Sequence, residues 1–134
     1  MAISMQNPNT VHPPVGRYHH VARVRASEFL FLAGQVAIDD AGEMVGVGDM
    51  GAQTTQAWRN VGKVLEGVGA SYANIVQIRT YLVGADGLPS YMDARSEFFD
   101  EVFPNGVGPP NTLLFVAALF EEEMLVEIEV VAAL

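Results

Sequence analysis

The sequence predicts an α+β domain in which two amphipathic helices cover one face of a sheet. Trp58, Val61, Leu65 and Val68 recur at spacings of three and four, as one face of a helix requires. Ile75 to Val83 alternates apolar with polar side chains, as a half-buried strand does. Further strand-like runs stand on both sides of the helical segments. The chain has 134 residues, 50% of them hydrophobic and 17% charged. That is the size of one domain, able to bury roughly two-thirds of its unfolded surface.

Residues 1–16 carry Pro8, Pro13, Pro14 and Gly16 with little periodicity and read as an extended lead-in to a single domain over 17–134. Tyr18 to Ala26 and Glu28 to Ala33 are rich in Val, Phe and Leu around Ala26-Ser27, which predicts a β-hairpin. Gly34, Gly42, Gly46, Gly48 and Asp39-Asp40 then mark a loop or further short strands. Asp49 is placed to cap the first helix and Gly69 to stop it. Gly62 and Gly67 each weaken that helix by up to about 1 kcal/mol relative to Ala, which points to close packing against a sheet.

In the strand from Ile75 to Val83, Val76, Ile78, Thr80 and Leu82 point one way and Gln77, Arg79 and Tyr81 the other. A second helix is expected from Pro89 or Ser90 to Val102, with Tyr91, Ala94, Phe98 and Val102 as its buried stripe and Pro104 closing it. Thr112 to Leu119 and Met124 to Ala132 are the last strands, parted by the acidic corner Glu121-Glu122-Glu123. Two helices cover only one sheet face. The other is expected to carry Leu113, Phe115, Ala117, Leu119, Tyr81 and Leu125 beside Gln77, Arg79, Glu127 and Glu129. So apolar a face predicts an oligomer.

Seven Lys+Arg against sixteen Asp+Glu give a formal charge of -9, the opposite of the basic footprint a phosphate backbone requires, and exclude a nucleic-acid partner as the expectation. The absence of Cys rules out disulfides, a thiol nucleophile and a Cys-ligated metal. The start MAISMQNPNT lacks a basic and then an apolar signal region, so the cytoplasm is the expected compartment. The longest apolar run, Leu113 to Phe120, falls well short of the roughly 20 residues that cross a bilayer, so no membrane segment is expected.

Few residues offer chemistry. His19 and His20 are adjacent on a strand and point to opposite faces, so they do not chelate one metal together. There is no G-x-S-x-G elbow and no phosphate-binding glycine motif. Glu127 and Glu129 stand out because they interrupt the apolar final strand MLVEIEVVAAL. They either pair with Arg79 as a structural ion pair or supply a general acid or base.

Tyr18-His19-His20 leading into Ala33-Gly34-Gln35, Phe103-Pro104 after the second helix, and the terminal Glu127-Ile128-Glu129 together resemble the RidA/YjgF family, also called endoribonuclease L-PSP, over roughly residues 15–134. The resemblance implies a chorismate-mutase-like mixed sheet with two helices on one face, assembled as a barrel-like homotrimer with clefts between subunits. It implies hydrolysis of small enamine or imine intermediates without metal or organic cofactor. Carried over by position, Glu127 is the catalytic carboxylate that orients water, Tyr18 is the cleft tyrosine and Asn111 takes a substrate-holding position. Leu113 and Arg79 are further candidate substrate contacts, Arg79 because strand parity sets it on the sheet face of Glu127. Tyr18 is then supplied by a different subunit from Asn111. Asn111 stands where the family has an arginine, exchanging a charged hydrogen bond of about 1.5–3 kcal/mol for a neutral one of about 0.5–1.5. The implied substrate therefore differs from standard 2-imino acids. The alternative is a trimeric small-molecule-binding protein without turnover.

Overall fold

The sheet is organised around β6 (Val126–Ala133). In the computed structural model, which describes residues 1–134, β6 lies between β3 (Phe29–Phe31) and β4 (Ile75–Leu82) and is antiparallel to both. An edge strand, β5 (Asn111–Phe115), runs parallel to β4, giving a mixed four-stranded sheet of order β3-β6-β4-β5. The parallel pair needs a crossover, and α2 (Leu88–Val102) supplies it. With α1 (Met50–Gly67), it packs on one face of the sheet, so the chain is α+β with two helices on a mixed sheet.

The core is the contact between those layers. Val126, Ile128 and Val130 from β6 and Ile78 and Leu82 from β4 meet Trp58, Val61 and Leu65 of α1 and Tyr91 and Phe99 of α2. Strand alternation explains the sheet side: the same residues of β4 and β6 that pattern assigns to the helices are buried. Asp49 caps α1, its carboxylate accepting from the Ala52 N–H at 3.0 Å. Gly69 follows the helix with φ +79°, the left-handed turn that suits glycine.

Several expectations are corrected. Residues 2–6 do not simply lead in: β1 (Ala2–Gln6) pairs antiparallel with β2 (Val21–Arg25). The expected hairpin of 18–26 with 28–33 is absent, because β2 pairs with β1 while β3 pairs with β6. The Ser27 and Glu28 N–H groups both donate to the Leu134 carbonyl, turning the chain toward the C-terminal strand instead of back on β2. Gly62 makes room for the Tyr72 ring rather than for the sheet, and Gly67 faces open space.

On α2 the fully buried stripe is Tyr91, Arg95 and Phe99, at i, i+4 and i+8, not Tyr91, Ala94, Phe98 and Val102. Phe98 is partly buried and stacks on Trp58 at 4.9 Å between centroids, and Val102 is also partly buried. Pairing of Thr80 with Leu113 and Leu82 with Phe115 places Leu113 and Phe115 on the helix side of the sheet, not on the open face where they were expected. A phase set by the Pro109-Pro110 entry, one residue from the expected one, moves every side chain of β5 to the other face.

Candidate functional site

The open face of the sheet carries the polar groups. From β4 come Gln77, Arg79 and Tyr81, from β6 Glu127 and Glu129, and from β3 the exposed rings of Phe29 and Phe31. The two glutamates of β6 point the same way but have different surroundings. Glu129 accepts a hydrogen bond from the Tyr81 hydroxyl at 2.7 Å and stands 3.9 Å from the Arg79 guanidinium. The carboxylate acceptor raises the Tyr81 phenol pKa above its ordinary value, because ionising the phenol would set two negative charges together.

Glu127 has no ion pair and no hydrogen bond within the chain. It lies over Gly34, in the segment that continues β3 along β6: Gln35 and Ile128 exchange backbone hydrogen bonds of 2.8 and 2.9 Å. A side chain on Gly34 would occupy the volume of the Glu127 carboxylate, with Cδ only 2.6 Å from the added Cβ. The Gly34 N–H enters no backbone hydrogen bond. A carboxylate free of cations beside an unused backbone donor can orient a water molecule and steady a developing negative charge.

The expected site residues are not all brought together in one chain. Arg79 shares the open face with Glu127 but engages Glu129. Asn111 and Leu113 lie on the helix side, opposite to Glu127. There the Tyr91 hydroxyl donates to Thr80 Oγ1 at 3.4 Å and Thr80 donates to Asn111 Oδ1 at 3.2 Å. Burial raises the Tyr91 pKa, which keeps the phenol a donor. Tyr18 packs edge-on to His20 at 5.7 Å, and its backbone runs beside Gly108. A cavity of about 440 Å³ lined in part by His19, Tyr72, Asn105 and Pro109 contains none of the expected site residues.

Gly34 was legible in the sequence as part of the Ala33-Gly34-Gln35 string, but its role as the floor under Glu127 was not. Arg95 left no signal, since a charged residue on a helix is normally solvated.

No helix of the structure is long and apolar enough to cross a membrane. Comparison with known proteins gives a consistent pattern. The family model described as endoribonuclease L-PSP matches residues 9–134. A RutC family protein of Pyrococcus horikoshii is 32% identical over 120 residues, covering 89% of this chain and 88% of its own. The 3-aminoacrylate deaminase RutC of Acinetobacter baylyi is 24% identical over 118 residues, covering 84% and 92%. Among solved structures, a Yersinia pestis protein of the conserved Rid family matches with a TM-score of 0.84 and 34% identity over the whole of both chains.

Proposed function

The chain belongs to the endoribonuclease L-PSP family, and on that premise we propose that it is a cleft enzyme hydrolysing a small enamine, imine or related reactive intermediate. The observation that supports this best is Glu127, a carboxylate without a partner held against Gly34 on the open sheet face. In the proposed reaction an enamine first tautomerises to its imine. Glu127 then takes a proton from water as the water oxygen bonds to the C=N carbon and passes a proton to the nitrogen, giving a carbinolamine. Transfer of the carbinolamine's hydroxyl proton to that nitrogen breaks the C–N bond and forms the carbonyl, so that a carbonyl compound and ammonia leave. In the same proposal the Gly34 N–H, which has no backbone partner, donates to negative charge developing on the substrate. The relative named as a 3-aminoacrylate deaminase supports this reaction class.

Tyr18, Asn111, Leu113 and Arg79 are proposed to hold the substrate, in a site built from at least two copies. Asn111 and Glu127 face away from each other in one chain, so a shared cleft requires a second subunit, and the homotrimer is the proposed assembly. No metal or organic cofactor enters the proposed chemistry. The charge of -9 opposes the nuclease activity that the family's label names.

The test is release of ammonia from an enamine generated in situ, in native protein and in Glu127→Gln. Loss of about 10²–10⁴-fold in rate in the variant supports the proposal. Stabilisation of the native protein by the substrate's carbonyl product, with no turnover of any enamine or imine tried, would replace it with the binding-protein reading.

A further inference from the structure

The cavity beside His19 and Tyr72 is lined for a single kind of chemistry. It lies between the β1–β2 ribbon, a two-stranded sheet of its own, and the segment that joins α2 to β5. Ile3 and Met5, two residues apart on β1, line it from the ribbon. Phe103, Val107 and the Tyr72 ring line it from the body of the domain. No Lys, Arg, Asp or Glu side chain lines it. At about 440 Å³ it falls within the roughly 300–1,000 Å³ of small-molecule sites. Ala73 and Asn105 on its rim are exposed, so the cavity opens to solvent past them.

One polar group on the wall is unused. His19 is fastened to the Gly108 carbonyl twice, by its backbone N–H at 3.1 Å and by Nδ1 at 2.8 Å. A carbonyl oxygen only accepts, so Nδ1 carries the hydrogen and the neutral ring presents Nε2 as an acceptor. That Nε2 has no hydrogen-bond partner in the chain. Its neighbours on the wall differ: the Tyr72 hydroxyl is committed to the Trp58 carbonyl at 2.7 Å. Gly108 also lines the cavity, so the bond that sets the tautomer fixes the ring in the wall as well.

These features select an occupant. An ion finds no counter-charge on the walls, and burying one unpaired is costly. A wholly apolar molecule suits the walls but leaves Nε2 covered and without a donor, which costs the desolvation of that nitrogen. A neutral, mostly apolar molecule with one O–H or N–H group meets both conditions. The rings of Tyr72, Phe103 and His19 favour an aromatic one through edge-to-face contact. We propose that this cavity is a ligand site separate from the Glu127 cleft, for a neutral aromatic molecule of one or two rings whose single N–H or O–H donates to His19 Nε2.

Indole and 1-methylindole test this on the intact protein, since they share a ring system and differ in the one N–H. Calorimetric titration of the native chain is expected to show indole binding about three- to tenfold more tightly than 1-methylindole, the worth of one neutral hydrogen bond. The anion indole-3-carboxylate is expected to bind at least about tenfold more weakly than indole. His19→Asn keeps an amide N–H for the Gly108 carbonyl and removes Nε2, and is expected to bring indole and 1-methylindole to within about twofold of each other. Ile3→Trp fills the cavity from the ribbon and Ala73→Phe blocks its rim, and each is expected to abolish binding of both probes. Glu127→Gln is expected to bind indole as the native protein does, which keeps this site distinct from the proposed hydrolase. No binding of indole at millimolar concentration, no preference for it over 1-methylindole, tighter binding of the anion, or an unchanged preference in His19→Asn overturns the proposal. Native-like binding in both Ile3→Trp and Ala73→Phe overturns it by placing the ligand elsewhere, and loss of binding in Glu127→Gln by placing it in the cleft. A smaller oligomer in Ile3→Trp overturns it by assigning the cavity to a second copy of the chain.

Discussion

Glu127 keeps its place on the open sheet face because Gly34 has no side chain. The two are brought together by the pairing of Gln35 with Ile128, which fixes the segment after β3 alongside β6. Gly34→Ala is therefore expected to displace the carboxylate while leaving the backbone pairing intact. Its rate with an enamine substrate should fall at least about tenfold, with a melting temperature within a few degrees of native, since moving an acid–base group off its reacting atoms loses much of its contribution. An unchanged rate would separate Glu127 from the chemistry.

Phe31 is 79% exposed on the edge strand β3, on the same face as Val131 and Arg79. A ring that size on open water is a poor surface for a monomer. Light scattering should give about three times the chain mass of 14.4 kDa for the native protein, and close to the single-chain mass for Phe31→Asp. Native protein running as a monomer at micromolar concentration would refute the shared-cleft arrangement.

Two glycines of α1 should respond in opposite directions to alanine. At Gly67 nothing lies within 4 Å, so Gly67→Ala is expected to stabilise by about 0.5–1 kcal/mol through helix propensity alone. At Gly62 the new methyl meets the Tyr72 ring, whose Cζ is 2.6 Å away and whose hydroxyl donates to the Trp58 carbonyl. Overpacking there costs about 1–3 kcal/mol, exceeding the propensity gain. Urea unfolding of the two variants checks both signs.

Alkali should weaken the fold from pH 10 upward. Tyr72 and Tyr91 have raised pKa values mainly because burial disfavours the phenolate, and Tyr81 mainly because its hydroxyl is bound to Glu129. An unfolded chain releases these protons near the ordinary value of 10.0 while the folded chain still holds them. Unfolding therefore gains free energy as pH rises through 10, and the native state loses stability until the folded phenols titrate. Melting curves between pH 9 and pH 11, with tyrosinate absorbance as the second signal, should show this fall. A flat profile would mean that the three hydroxyls are solvated.

α1, β4 and β6 were legible in the sequence because each has a single strong period and a burial pattern that follows it. β5 was not read in phase: NTLLF is apolar at positions of both parities, so pattern cannot tell its faces apart, and only its pairing with β4 does. The partner of β2 was equally hidden, since an alternating strand says that it pairs and not with what. Glu127 was found because a carboxylate interrupts an apolar run. Arg95 was missed for the opposite reason, since in a helix as mixed as LPSYMDARSEFFDEV a cation gives no sign that its position faces inward. The choice of Ala94 and Phe98 as the inner stripe followed hydrophobicity where the packing did not.

The central position of β6 has a kinetic consequence. β3 meets its partner about a hundred residues later in the chain, and β4 meets it about fifty later. During synthesis on the ribosome, α1, β4 and α2 emerge with their apolar faces made but with no strand to complete the sheet. Closing the longer loop carries an entropic penalty that grows with the logarithm of its length. Until that happens the edges of β3 and β4 stand open to other chains, and the nascent protein is at its most prone to aggregate just before β6 becomes free to pair.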